Sequence, residues 1–204
     1  LQGNPYLIFV QALEENKIMN RDEVNKLVAE FQKEESFTNT TLEAIKFGDF
    51  DRLLPAFVTT KNEGYLNLMA LALRNIVRFV SSYIRIGKAE KVTDYSAKYI
   101  AYQKTTGAYE GFLGFASDDN SILTVADGYA GEYFEKPDED ALDSVCEFTN
   151  CINGLHATEL SYQEVIIDML PPEYMFDGTI NTSEEFFVLP LYITGKRVDM
   201  IVKM

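Results

Sequence analysis

Asp143, Glu147 and Asn150 are the residues of this chain whose types and spacing point most directly to chemistry. They form a D-x3-E-x2-N string that continues to Gly154 and Ala157 in Glu147-Phe-Thr-Asn150-Cys-Ile-Asn-Gly154-Leu-His-Ala157. On a helix, positions 143, 147, 150 and 154 step by four, three and four, so the carboxylates and the amide share a stripe. A carboxylate and a carboxamide one turn apart on a rigid helix can grip a basic group and orient a water molecule at the same moment.

Elements that hold such a stripe in place are legible around it. Ala141, Val145, Phe148, Ile152 and Leu155 repeat at the same spacing but are apolar, so one face of the helix is anchored and the other displayed. Pro137 and the acidic run Asp138 to Asp140 suit the positive end of the helix dipole. Upstream, Thr60 with Glu63 predicts the cap of a long helix whose Leu66, Met69, Leu73, Ile76, Val77 and Val80 face a core. Strands are expected from Tyr83 toward Val92, at Ala97 to Gln103, and at Tyr109 to Ala116 after a turn at Thr106-Gly107. Asp118-Asp119-Asn120 breaks the sheet, and Ser121 begins a short helix through Tyr129. Beyond the motif helix come a strand near Val165 to Met169, the Pro171-Pro172 loop, and a terminal hairpin of Phe186 to Thr194 and Arg197 to Lys203 around Gly195-Lys196. Helix, three strands, helix, helix, three strands describes an α+β domain with an internal pseudo-repeat, long helices packing on an antiparallel sheet.

Residues 1 to 60 read as a separate small helical module of unassigned role, with the domain boundary at residue 61. Asn4-Pro5 opens its first helix, which carries Tyr6, Val10 and Leu13. Asn20 with Glu23 starts a second, whose Val24, Leu27, Val28 and Phe31 make an amphipathic face. Thr40 with Glu43 starts a third, ended by Gly48. The spacing of Leu7, Leu13, Ile18, Val24 and Leu27 resembles the helical N-terminal modules of secretion ATPases, some of which bind cyclic dinucleotides. The glycines that bring those modules close to a ligand are missing, so a helical cap or spacer is the expectation.

In residues 61 to 204 the chain resembles the CheC/CheX/FliY family of chemotaxis phosphatases, and CheX above all. The family signature is Asp or Ser, three residues, Glu, two residues, Asn, then Gly four residues later and Ala. Asp143, Glu147, Asn150, Gly154 and Ala157 fit it in register. The resemblance implies an enzyme that hydrolyses the aspartyl phosphate of a CheY-like response regulator. Asn150 would hold a water in line with phosphorus, Glu147 would pair with the regulator's lysine, and Asp143 would support the site. It implies no cofactor or metal of the chain's own, Mg2+ being held by the regulator. CheC-type members carry a second E-x-x-N on their first long helix, where this chain has Glu63 followed by Leu66, so one site per chain is expected. The alternative is a CheX-fold scaffold that binds a regulator or signalling partner without turning it over; retention of both Glu147 and Asn150 favours the enzyme. The terminal hairpin, apolar on both faces through Phe186, Phe187, Val188, Leu189, Leu191 and Ile193, would be a hazard at a sheet edge. CheX-like proteins join sheets into dimers, so a homodimer through the C-terminal domain is expected.

Bulk properties narrow the alternatives. The 204 residues carry a formal charge of −14, which opposes binding to nucleic-acid backbone or anionic lipid. The most apolar stretch, Tyr65 to Val80, is interrupted by Asn67, Arg74, Asn75 and Arg78, so it reads as an amphipathic helix and not a membrane span. No secretory signal is evident, and the chain opens with Leu1-Gln2-Gly3-Asn4 and no Met, which leaves open whether it is a fragment of a longer protein. Cys146 and Cys151 lie about 140° apart on the helix, too far for a disulfide; reduced thiols in a cytoplasmic protein are expected. Cys146, Cys151, His156 and Glu159 scatter around the axis and do not converge as metal ligands. His156 is expected at the surface or near the helix end.

Overall fold

Capping chemistry decides where the N-terminal helices begin. The computed structural model describes residues 5–34 and 37–204, and the chain divides into two compact units, Leu1–Ala56 and Phe57–Met204. The first holds α1 (Pro5–Glu15), α2 (Arg21–Glu34), α3 (Asn39–Phe47) and the short α4 (Phe50–Leu53). At α2 the capping box is reciprocal: Asn20 N donates to Glu23 Oε2 at 2.8 Å and Glu23 N to Asn20 Oδ1 at 3.0 Å. At α3 the cap is Thr38, not Thr40, because the extended Thr38 places its hydroxyl to accept from Thr41 N at 3.1 Å. Gly48, left-handed at φ 64°, ends that helix as expected. The Asn4 start lies outside the described residues. Of the α2 face, Val24 is buried while Leu27 and Phe31 remain about half exposed.

The second unit carries the pseudo-repeat in its strand pairing. After α5 (Glu63–Asn75) and a π-helical turn, Ile76–Val80, come β1 (Ile84–Ile86), β2 (Glu90–Gly107) and β3 (Gly111–Ser117). Then α6 (Leu123–Ala130) and α7 (Glu139–Ser161) lead to β4 (Ile167–Met169), β5 (Glu173–Ile193) and β6 (Lys196–Lys203). Every pairing is antiparallel, and the pattern is that of two equivalent halves: β2 pairs with its counterpart β5, β3 with β6, β1 with β5 and β4 with β2. Sheet order is β1-β5-β6-β3-β2-β4, with β5 also joined to β2, so four strands close into a ring. Alternation then sorts side chains. Ile100, Tyr102, Phe112, Ala116, Phe186 and Ile201 fill one apolar cluster, while the opposite face of β2 and β3 meets α7, as in the stacking of Phe115 on Phe148 at 5.6 Å.

Several boundaries differ from the sequence expectation for physical reasons. The α5 cap is Asn62, whose side chain accepts from Gly64 N at 2.9 Å, with Thr60 bonded behind it to Asn62 N. β2 begins seven residues before the expected Ala97 and β5 thirteen before the expected Phe186, because the two strands pair from Glu90↔Val188 to Tyr102↔Glu173. The terminal hairpin turns at Thr194-Gly195, both at positive φ (51° and 82°), the conformation that matches a tight hairpin to strand twist. Nor is that hairpin a sheet edge. Its first arm, 187–193, pairs with β6 on one side and with β1 and the start of β2 on the other, and β6 pairs with β3. The apolar residues that suggested an exposed edge are therefore satisfied within the chain.

Candidate functional site

The site is built on α7, and the helix is anchored along most of its length. Asp138 caps it, accepting from Ala141 N at 3.3 Å, and Glu139 and Asp140 occupy its first turn. Ala141, Val145, Phe148 and Ile152 are fully buried, as their spacing predicts, while Leu155 is 42% exposed. Ser144 Oγ donates to Ala126 O at 3.2 Å and Cys146 Sγ to Glu173 O at 3.5 Å, which ties the helix to α6 and β5. Against this anchored face, Asp143, Glu147 and Asn150 are all exposed on one stripe.

Asn150 alone of the three is held by a neighbour. Gln103, buried on β2, donates from Nε2 to Asn150 Oδ1 at 2.8 Å and to Leu170 O at 2.9 Å, while its Oε1 accepts from the buried Asn153 Nδ2 at 2.9 Å. Gln103 and Asn153 escaped the sequence reading. Their signal was a lone amide two residues from Ala101 and from Thr105 on one side of β2, and a second Asn three residues after Asn150.

Neither Asp143 nor Glu147 takes part in an ion pair or side-chain hydrogen bond among the described residues. Lys104 on β2 is engaged with Glu173 at 3.4 Å. With Glu139 and Asp140 the two carboxylates leave a negative field that neighbouring groups register. Burial, followed by the charge of Asp143, pushes the Cys146 thiol up to about 12. Burial, then Cys151 and Glu147, also raises the Tyr129 phenol. The stripe thus offers uncompensated negative charge beside an amide of fixed orientation.

Gly154 follows Asn150 by one turn, and a Cβ there would meet only Met169 Cε at 3.9 Å. Packing within the chain does not demand glycine. Ala157 is half-buried. His156, expected near the surface, is buried, with Nε2 2.9 Å from the Tyr109 hydroxyl. The turn of α7 that carries it faces the β2–β3 hairpin, which its sequence position could not reveal. Both cysteines are free. Among the described residues no group of His, Cys, Asp and Glu is arranged to hold a metal ion, and no helix is long and apolar enough to cross a membrane.

Residues 99–192, which span this stripe and its supporting strands, match the family model described as chemotaxis phosphatase CheX. Among solved structures, a chemotaxis protein CheX from Desulfovibrio desulfuricans superposes with a TM-score of 0.58 at 15% identity, covering 70% of this chain and 99% of its own. A CheC-like superfamily protein from Shewanella gives 0.58 at 20% identity, over 70% of this chain and 99% of its own. The CheX-CheY-BeF3-Mg2+ complex from Borrelia burgdorferi gives 0.54 at 18% identity, over 67% and 96%. No curated protein matches the chain in sequence. At these identities the structural likeness establishes the fold.

Proposed function

We propose that this chain, whose C-terminal unit has the CheX-like fold and matches the CheX family model over residues 99–192, hydrolyses the aspartyl phosphate of a CheY-like response regulator. One observation carries the reading: Asp143, Glu147 and Asn150 stand on a single exposed stripe of an anchored helix, with the carboxylates uncompensated and the amide held. A relative of this fold in complex with CheY supports a receiver domain as the partner.

In this reading Glu147 meets the regulator's lysine, an interaction for which the free carboxylate is prepared. Asn150 holds a water in line with phosphorus, and Asp143 adds to the field that draws in the cation. The water oxygen bonds to phosphorus as the bond from phosphorus to the aspartyl oxygen breaks. The aspartate leaves as carboxylate, and phosphate departs with the water's oxygen and protons. Phosphoryl transfer passes through a loose transition state, so positioning and charge placement supply most of the rate. Mg2+ sits on the regulator, and this chain contributes no metal. The working compartment is the cytoplasm, where receiver domains act, and the assembly is a homodimer through the C-terminal unit with both α7 stripes open.

The test is decay of a purified receiver phosphorylated by a small phosphodonor, with this protein present below stoichiometry. Accelerated loss of phosphate with multiple turnovers is expected. Unchanged decay across the host's receivers, with binding retained, would leave a scaffold in place of an enzyme.

A further inference from the structure

The structure assigns to Gln103 the task of choosing which half of the Asn150 carboxamide faces solvent, an inference whose catalytic consequence rests on the phosphatase reading above. Leu170 O can only accept, and its place is fixed because Leu170 N donates to Lys104 O at 3.0 Å, directly after the β2–β4 pairing of Thr105 with Met169. Gln103 must therefore turn its Nε2 toward Leu170, since its oxygen there would set two acceptors 2.9 Å apart. Asn153 Nδ2 secures the same choice from the other side by donating to Gln103 Oε1. With Gln103 so fixed, its second N–H points at Asn150, which must answer with an acceptor. Asn150 Oδ1 is thereby turned inward, and Nδ2 is the group left for solvent.

The site consequently offers a water molecule a donor N–H, which holds the water by one lone pair and leaves the other free to face phosphorus. A flipped Asn150 would instead accept a proton of the water and aim it differently. Gln103 is 1% exposed and acts through Asn150, so it is a positioning residue. Because Gln103 donates to Asn150 from a strand that three partners hold, the amide needs no reorganisation when a regulator docks.

Gln103→Met keeps length and burial but removes the donors. With a phosphorylated receiver as substrate, kcat should fall about tenfold or more while KM stays within about twofold, the mark of lost positioning and not of lost binding. Ser144→Ala is the control for a merely structural role: it removes a buried hydrogen bond that anchors α7 to α6 and leaves Gln103, Asn153 and Asn150 untouched, so kcat should stay within about threefold of wild type. Independently of activity, NMR exchange on the wild-type protein should find the Gln103 side-chain amide protons protected and those of Asn150 exchanging freely with water. Unchanged kcat in Gln103→Met, or protection of the Asn150 amide protons, overturns the inference. Should the wild-type protein turn over no receiver, the proposed function fails, and the exchange pattern still decides the amide's orientation. The same measurement decides it if Gln103→Met does not fold.

Discussion

Asn150 and Glu147 stand one turn apart, and their loss should have different kinetic signatures. Asn150→Asp retains an acceptor for Gln103 but replaces the outward N–H with a negatively charged oxygen facing a phosphoryl group. Turnover should fall on the order of 10²-fold, measured as phosphate released from a phosphorylated receiver. Glu147→Ala should weaken complex formation as well, because it removes an uncompensated charge at the docking surface, and the weakening should be read as a slower association that loses its salt dependence. His156 predicts a pH effect of its own. Burial holds this single histidine's pKa below the ordinary value, so the folded state favours the neutral ring. Stability should be full above about pH 6.5 and decline as pH falls below it, because the unfolded chain takes up the proton first. Denaturant unfolding between pH 5 and 8 checks this, and His156→Gln should flatten the dependence across that window.

Helix α7 is an element whose two faces answer to different demands, and Gly154 marks where they separate. Nothing in the chain crowds that position, and glycine inside a helix costs about 0.5–1 kcal/mol relative to alanine. Gly154→Ala should therefore raise stability by about that amount while slowing the proposed turnover, since a methyl there would stand on the stripe onto which the regulator is proposed to dock; unfolding and turnover measured on the same variant would show the opposed effects. Asp138→Ala should cost about 1 kcal/mol by removing the cap. The register of α7 was open to sequence reading because Val145, Phe148 and Ile152 recur at helical spacing and Asp143, Glu147 and Asn150 recur between them. The first half of β5 was not. Asp177, Gly178, Asn181 and Glu184 give no apolar alternation, because this stretch is held by its ladder to β2 and by contacts such as Ser96 Oγ with Thr179 Oγ1 at 2.8 Å, largely without burial. Gln103 and Asn153 stayed hidden for a related cause: their partners are brought in by the sheet from 47 or more positions away. Thr38 took the place of Thr40 at α3 because either could cap and only the extended backbone at 38 decides.

At the scale of the whole molecule, two halves of similar order fold into one antiparallel ring, yet only one carries the motif. α5 offers Glu63 and Leu66 where a second E-x-x-N would stand, and its Asn75 is buried, donating to Leu71 O at 2.8 Å. One candidate stripe per chain follows. The outer edge of β5 along residues 173–184, which lacks a ladder partner among the described residues, bears Glu173, Asp177 and Glu184. Charged edges resist casual pairing, so a dimer through this unit should be specific and salt-sensitive. Light scattering on the full chain and on residues 61–204 should give dimers in both; monomers in both would refute the homodimer. In the proposed mechanism Asn150 positions the hydrolytic water without carrying the docking energy, and a single paired measurement tests this. Wild type and Asn150→Ala are compared for kcat on a phosphorylated receiver and for affinity toward the same receiver. Turnover reduced on the order of 10²-fold or more at nearly equal affinity is the result expected, and normal turnover by Asn150→Ala would contradict the mechanism outright.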